Sequence, residues 1–152
     1  MKPELVPQVR QWAEQSFGEG LYCAESVLLA LARAQGVESD LVPKVATAFC
    51  GGMARTCGTC GAVTGALMGI GLATGRSRAG ESALPAYHAA QRLIRQFEQE
   101  FGARDCHVLL ACDLGTPEGQ AAFRERNLAR RCTEYTGRAA ELAATLLADG
   151  PG

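Results

Sequence analysis

The chain has 152 residues, 47% of them hydrophobic and 20% charged, with a formal net charge of −1 at neutral pH. That length fits one domain, residues 1–152, which buries roughly 68–70% of its unfolded surface and needs no disulfide staples to fold. The near-zero charge excludes long-range attraction to nucleic acid or to an anionic membrane, so neither is expected as a partner.

The opening Met1-Lys2-Pro3-Glu4 leads into polar Gln8, Arg10 and Gln11, unlike a secretory signal, so a reducing cytoplasm is the expected location. Residues 3–17 read as an amphipathic helix that ends at Gly18-Glu19-Gly20. A second helix, 23–36, carries Cys23, Val27, Leu31 and Ala34 at helical spacing. A third follows Ser39-Asp40 with Leu41, Val45 and Phe49 on its stripe, until Gly51-Gly52 breaks it. The most apolar stretch, 58–75, approaches the length of a membrane span, but its six glycines and marginal length favour a buried helix of a soluble protein. In it Gly61, Gly65 and Gly69 recur every four residues, a smooth face that serves an internal contact or a homodimer equally well.

Arg76, Ser77 and Arg78 lie in a polar loop, and a long helix follows over 81–101 with Tyr87, Ala90, Ile94, Phe97 and Phe101 facing the core. A short helix is expected over 105–111. Thr116-Pro117-Glu118 then supplies an N-cap, a proline at the first helical position and an acid in the first turn. The helix it opens is expected to continue to Leu147 with an interruption near Gly137, and with Cys132, Tyr135, Ala139, Leu142 and Leu146 inside. No strand pattern appears, so the fold class is all-α: a single-domain helical bundle around a central glycine-rich buried helix.

Seven cysteines are the outlier of the composition. In a reducing compartment such a density points to redox work, metal binding, or small buried hydrophobes. Cys23, Cys60 and Cys106 each fall in the first turn of an expected helix, where backbone N–H groups and the helix dipole favour a thiolate. Cys57-Gly58-Thr59-Cys60 is a C-x-x-C, a spacing that allows a reversible disulfide or two ligands to one metal. It lacks the preceding strand of a thioredoxin-like motif and the second C-x-x-C of a zinc ribbon. Cys50, Cys57 and Cys112 read first as space-filling cysteines.

Other chemistry finds less support. His107 and His88 read as surface or boundary residues. Arg124, Arg126, Arg130, Arg131 and Arg138 interleave with Glu118, Glu125, Glu134 and Glu141, which describes a solvated, self-compensated helix face. No phosphate loop or dinucleotide fingerprint is present.

The run Cys60-Gly61-Ala62-Val63-Thr64-Gly65 is a C-G-A-x-x-G motif, preceded by Tyr22-Cys23-Ala24-Glu25-Ser26 and followed by Gly102-Ala103-Arg104-Asp105-Cys106 and by Cys132. In these segments and in Gly51-Gly52-Met53 the chain resembles the C_GCAxxG_C_C family of redox-active proteins over nearly its whole length. The resemblance carries the family's four cysteines onto Cys23, Cys60, Cys106 and Cys132 and implies a small helical redox protein. A related domain occurs joined to a multihaem cytochrome, where it holds an iron–sulfur centre; this chain has no C-x-x-C-H haem attachment site and resembles the non-haem part alone. Cys57 stands where many relatives have a small residue.

Four thiolates in one apolar core repel one another and lose hydration, so they call for a cation. Three functions follow. The first is electron transfer to an unidentified partner protein through an iron–sulfur cluster on Cys23, Cys60, Cys106 and Cys132. The second is thiol–disulfide exchange catalysed by Cys57 and Cys60, with Cys60 as the more acidic thiol at its helix start. The third is a metal-binding module without turnover that takes zinc or copper(I).

Overall fold

In a computed structural model, which describes residues 1–150, the chain is all-α, as its periodicity predicts. A 3₁₀ turn at Pro3–Leu5 leads into α1 (Val6–Gly18), whose Val9 and Ala13 are fully buried. Helix α2 (Cys23–Ala34) is started by Glu25, which reaches back to accept the Tyr22 backbone N–H at 2.8 Å and so satisfies one orphan donor of the first turn. The other oxygen of the same buried carboxylate accepts from Thr47 Oγ1 at 2.6 Å. That bond ties α2 to the 3₁₀ segment Lys44–Phe49.

A short turn, α3 (Cys50–Arg55), precedes the central α4 (Gly61–Thr74). The long α5 (Leu84–Phe101), the single turn α6 (Cys106–Leu110), α7 (Pro117–Glu125) and α8 (Ala129–Asp149) complete the chain. Helix α7 has the cap its sequence announces: Thr116 Oγ1 accepts the Gly119 N–H at 3.0 Å, with Pro117 at the first helical position.

Helix α4 packs on α2, α8 and α5, while α1 covers α2 and α8. The first six residues of α4 are all buried, and the main core gathers around Val63, Ala66, Leu93, Phe97 and Ala140. Its glycine stripe faces α2 inside the chain. A Cβ on Gly65 would come to 2.5 Å from the Ala24 carbonyl oxygen and 2.9 Å from Ala24 Cα, and one on Gly69 would run into Leu31. No described helix is long and apolar enough to cross a membrane.

Three expected elements differ. The helix after Ser39-Asp40 is replaced by 3₁₀ turns, because Pro43 lacks the N–H that an α-helix would use. The C-terminal helix breaks at 126–128 and runs unbroken through Gly137. Asn127 takes a left-handed φ of 50°, which an asparagine tolerates, whereas Gly137 answers a packing need: a Cβ there would strike the Glu14 carboxylate of α1. On α5 the buried stripe runs through Leu93 and Phe97, and Tyr87 is 61% exposed, so the apolar face of its first turn is not core.

Candidate redox centre

The break at 126–128 matters for the site, since it puts Cys132 in the first turn of α8. Cys23 opens α2, Cys60 is the N-cap of α4 and Cys106 opens α6. All four cysteines, distant in the chain, thus stand where helices begin.

Backbone bonds bring the middle two together. Cys60 N–H donates to Arg104 O at 2.7 Å, Cys106 N–H donates to Gly58 O at 2.9 Å, and Thr59 bridges Asp105. Gly58 N–H in turn donates to Gly52 O at 2.9 Å, which fixes the α3 turn against the same spot. That turn is left-handed: Gly51, Gly52, Met53, Ala54 and Arg55 have φ of 67°, 70°, 60°, 56° and 64°. Cys57 follows at 61°. For each non-glycine residue this conformation costs roughly 1–2 kcal/mol, so packing elsewhere has to hold it. Tight approach explains Gly52, because a Cβ there would stand 2.5 Å from Cys106 Cβ and 2.9 Å from Gly58 O.

The turn therefore makes a paired prediction. Ala54→Gly, at an exposed position, is expected to raise stability by about 1 kcal/mol by relieving a left-handed alanine. Gly52→Ala, the reverse change two residues earlier, is expected to lower it by more than that, and urea unfolding of the two variants reads both signs.

Cys23, Cys60, Cys106 and Cys132 line one cavity of about 30 Å³, closed by Leu109, Leu110, Leu114 and Tyr135. Gly51, Gly52 and Gly61 give it walls without side chains. The C-G-A motif has a steric reason here, since a Cβ on Gly61 would overlap Cys23 Sγ. The ring of Tyr135 stacks edge-on with Phe101, their centroids 4.9 Å apart, and its hydroxyl donates to Leu109 O at 3.3 Å, which braces α8 against α6. A wider space of about 500 Å³ shares Cys23, Gly51, Leu114 and Cys132 with the cavity and reaches the surface beside Tyr22, Arg55 and Arg124.

Burial dominates the electrostatics. It pushes the Cys60 thiol up to about 12; the Ala62 N–H at the start of α4 works against this shift, and the fields of Cys132 and Cys106 add to it. Cys132 is likewise pushed up to about 12 by burial, then by Cys106 and Cys112. Cys106 rises to about 11 through burial, then Cys112, Cys57 and Asp113. The expectation that Cys60 is an acidic thiol is thus corrected: loss of hydration outweighs the helix N-terminus.

Cys57 does not join Cys60 at the cavity. It lies half-buried, raised by loss of hydration and by the Asp113 carboxylate beside it. Cys50, expected as filler, is buried next to Cys23: that thiol, and burial after it, hold Cys50 far above the ordinary range. Its Sγ donates to Ala46 O at 3.6 Å. Nothing in the spacing of residues 23 and 50 announces their meeting. His88 and His107 are exposed, as expected.

Neutral thiols in the folded state set a pH dependence. Their folded pKa values of about 11 and 12 lie above an ordinary thiol, so they add stability below the unfolded pKa near 9, and that contribution is lost as pH rises through the folded values. Metal-free protein is expected to lose stability between about pH 9 and 12, with urea midpoints falling over that window.

As a donor set the four thiols suit a soft metal or an iron–sulfur cluster, and the apolar walls suit a centre kept from water. Among the described residues, no three His, Cys, Asp or Glu side chains already converge as a ligand set. The cavity itself has room for one or two water-sized particles, and further room for a cluster core lies in the adjoining space.

A family model described as a putative redox-active protein (C_GCAxxG_C_C) matches residues 21–146. No curated protein and no solved structure matches the chain.

Proposed function

The chain belongs to the C_GCAxxG_C_C family of redox-active proteins, and we propose that Cys23, Cys60, Cys106 and Cys132 hold an iron–sulfur cluster from which electrons pass to a partner protein. The observation that carries the reading is the cavity itself: four cysteines from four separate elements line it, with no other ionisable side chain except Tyr135. A bound cluster supplies one-electron transfer.

The chain's own part is to shape and shield. Leu109, Leu110 and Leu114 keep water from the sulfurs, and the edge-stacked Tyr135 fixes the wall opposite. The backbone N–H groups of Ala62 and Val63 point to the Cys60 sulfur and favour its thiolate once a cation draws off the proton. Metal binding releases those protons, so affinity rises with pH. The wider space beside Cys23 and Cys132 brings the centre near the surface, where a partner can approach.

Purification without oxygen, a visible spectrum, and assays of iron and acid-labile sulfide test this reading. Colour with matched iron and sulfide supports it. Colourless protein with stoichiometric zinc or copper(I) replaces it with metal storage, and colourless metal-free protein that loses two thiols on mild oxidation replaces it with disulfide chemistry. For the Cys57–Cys60 pair the geometry is less favourable, since Cys60 faces the cavity and Cys57 lies beside Asp113.

A further inference from the structure

Cys50 has no part in the proposed centre, yet it is packed against Cys23. The Cys23 sulfur and the Cys50 backbone meet over Gly61, where a Cβ would overlap Cys23 Sγ and stand 3.1 Å from Cys50 Cα, and Cys23 packs on the small apolar cluster to which Cys50 belongs. Both also line the 500 Å³ space that reaches the surface. Cys23 is half-buried and accessible from that space, whereas Cys50 is 6% exposed. This is the arrangement of an attacking thiol with a second thiol behind it.

The mouth of the space carries charge of one sign. Arg55 and Arg124 line it, both exposed, and among the described residues neither makes an ion pair or a side-chain hydrogen bond. The rest of the lining is mainly apolar or uncharged, including Phe17, Leu114 and Phe123. Two unpaired guanidiniums beside an apolar recess favour a small molecule that bears carboxylates.

We propose that Cys23 and Cys50 form a reversible disulfide by exchange with a small, carboxylate-bearing disulfide bound between Arg55 and Arg124. The Cys23 thiolate attacks one sulfur of the small disulfide, whose S–S bond breaks; the departing thiolate takes up the proton that Cys23 gave up. Cys50 then attacks Cys23 Sγ, the mixed disulfide breaks, and a second small thiol leaves with the Cys50 proton. The protein loses two electrons and two protons, and one small disulfide becomes two thiols. With the small thiol in excess the exchange runs backward. No metal takes part. On the reading given above, the same bond withdraws Cys23 from the four-thiol set, so oxidation and cluster binding exclude each other; that consequence alone rests on the earlier reading.

The test uses the full chain, reduced with chelator present and desalted, then treated with glutathione disulfide and mapped by mass spectrometry. The expected product is a peptide pair linked through Cys23 and Cys50. Cys50→Ser is expected to stop at a glutathione adduct on Cys23, and Cys23→Ser to show no adduct at Cys50. A lasting adduct in the unsubstituted protein, or a link between any other pair, overturns the proposal. Replacing Arg55 and Arg124 together by alanine is expected to slow the reaction with glutathione disulfide about tenfold and to leave that with 2-hydroxyethyl disulfide, which has the same bond and no charge, unchanged. Equal effects on both reagents, or none, overturn the recognition by arginine. Cys50→Ser prepared without oxygen is expected to keep its iron and sulfide, so exchange can fail while the centre stands, and the reverse.

Discussion

Cys60→Ser, prepared without oxygen, is expected to retain less than a tenth of the iron and sulfide of the unsubstituted protein. Cys60 is tightly held: it is the N-cap of α4, only 7% exposed, and its N–H is tied to Arg104. A hydroxyl there is a harder donor than sulfur and gives up its proton far less readily, so the remaining three thiols would have to hold the centre. Cys57→Ser serves as the control, since that side chain lies outside the cavity beside Asp113, and it is expected to keep its full complement. A buried hydroxyl also costs stability, so Cys60→Ala, which removes the donor without adding a polar atom, separates loss of ligation from loss of fold. Iron and sulfide assays with circular dichroism on the three variants decide it. Equal loss in Cys57→Ser and Cys60→Ser would move the reading to the C-x-x-C pair.

The legible part of this molecule was the part set by local rules. Helix starts at Cys23, Cys106 and Pro117 fall within a residue or two of their expected places, because capping groups and first-turn residues act on their immediate neighbours. The shared setting of the cysteines was legible in a weaker sense: first-turn positions hinted at it for Cys23, Cys60 and Cys106, and the family resemblance added Cys132 and supplied the order. What could not be read was contact between distant elements. The Cys23–Cys50 meeting depends on how Gly61 lets α4 approach both, and no periodicity encodes that. The left-handed turn at 51–55 was hidden for another reason. Met53, Ala54 and Arg55 have no propensity for it, and tertiary bonds through Gly52 and Gly58 impose it against local preference. Similarly, Gly137 looked like a helix break but marks a close approach by Glu14.

Close approach also gives a single methyl group a large expected effect on stability. Gly65→Ala is expected to destabilise the protein by about 3 kcal/mol, the upper end of overpacking costs, with a fall in Tm of about 10 °C. Alanine ordinarily stabilises the interior of a helix relative to glycine, so helix propensity argues for the opposite sign. Here contact wins. The new methyl would meet the Ala24 carbonyl oxygen at 2.5 Å, Cα at 2.9 Å and carbonyl carbon at 3.1 Å, all of them backbone atoms that cannot rotate away. To make room, α2 and α4 must part, and α2 carries Cys23 to the cavity that α4 serves with Cys60. Gly71→Ala on the same helix is the internal control. Nothing lies within 4 Å of its Cβ position, so propensity acts alone and the variant is expected to gain about 1 kcal/mol. Opposite signs in thermal unfolding would tie the stripe to the α2 contact. Equal gains would mean that α2 and α4 are not in that contact, and the cavity between their first turns would lose its support.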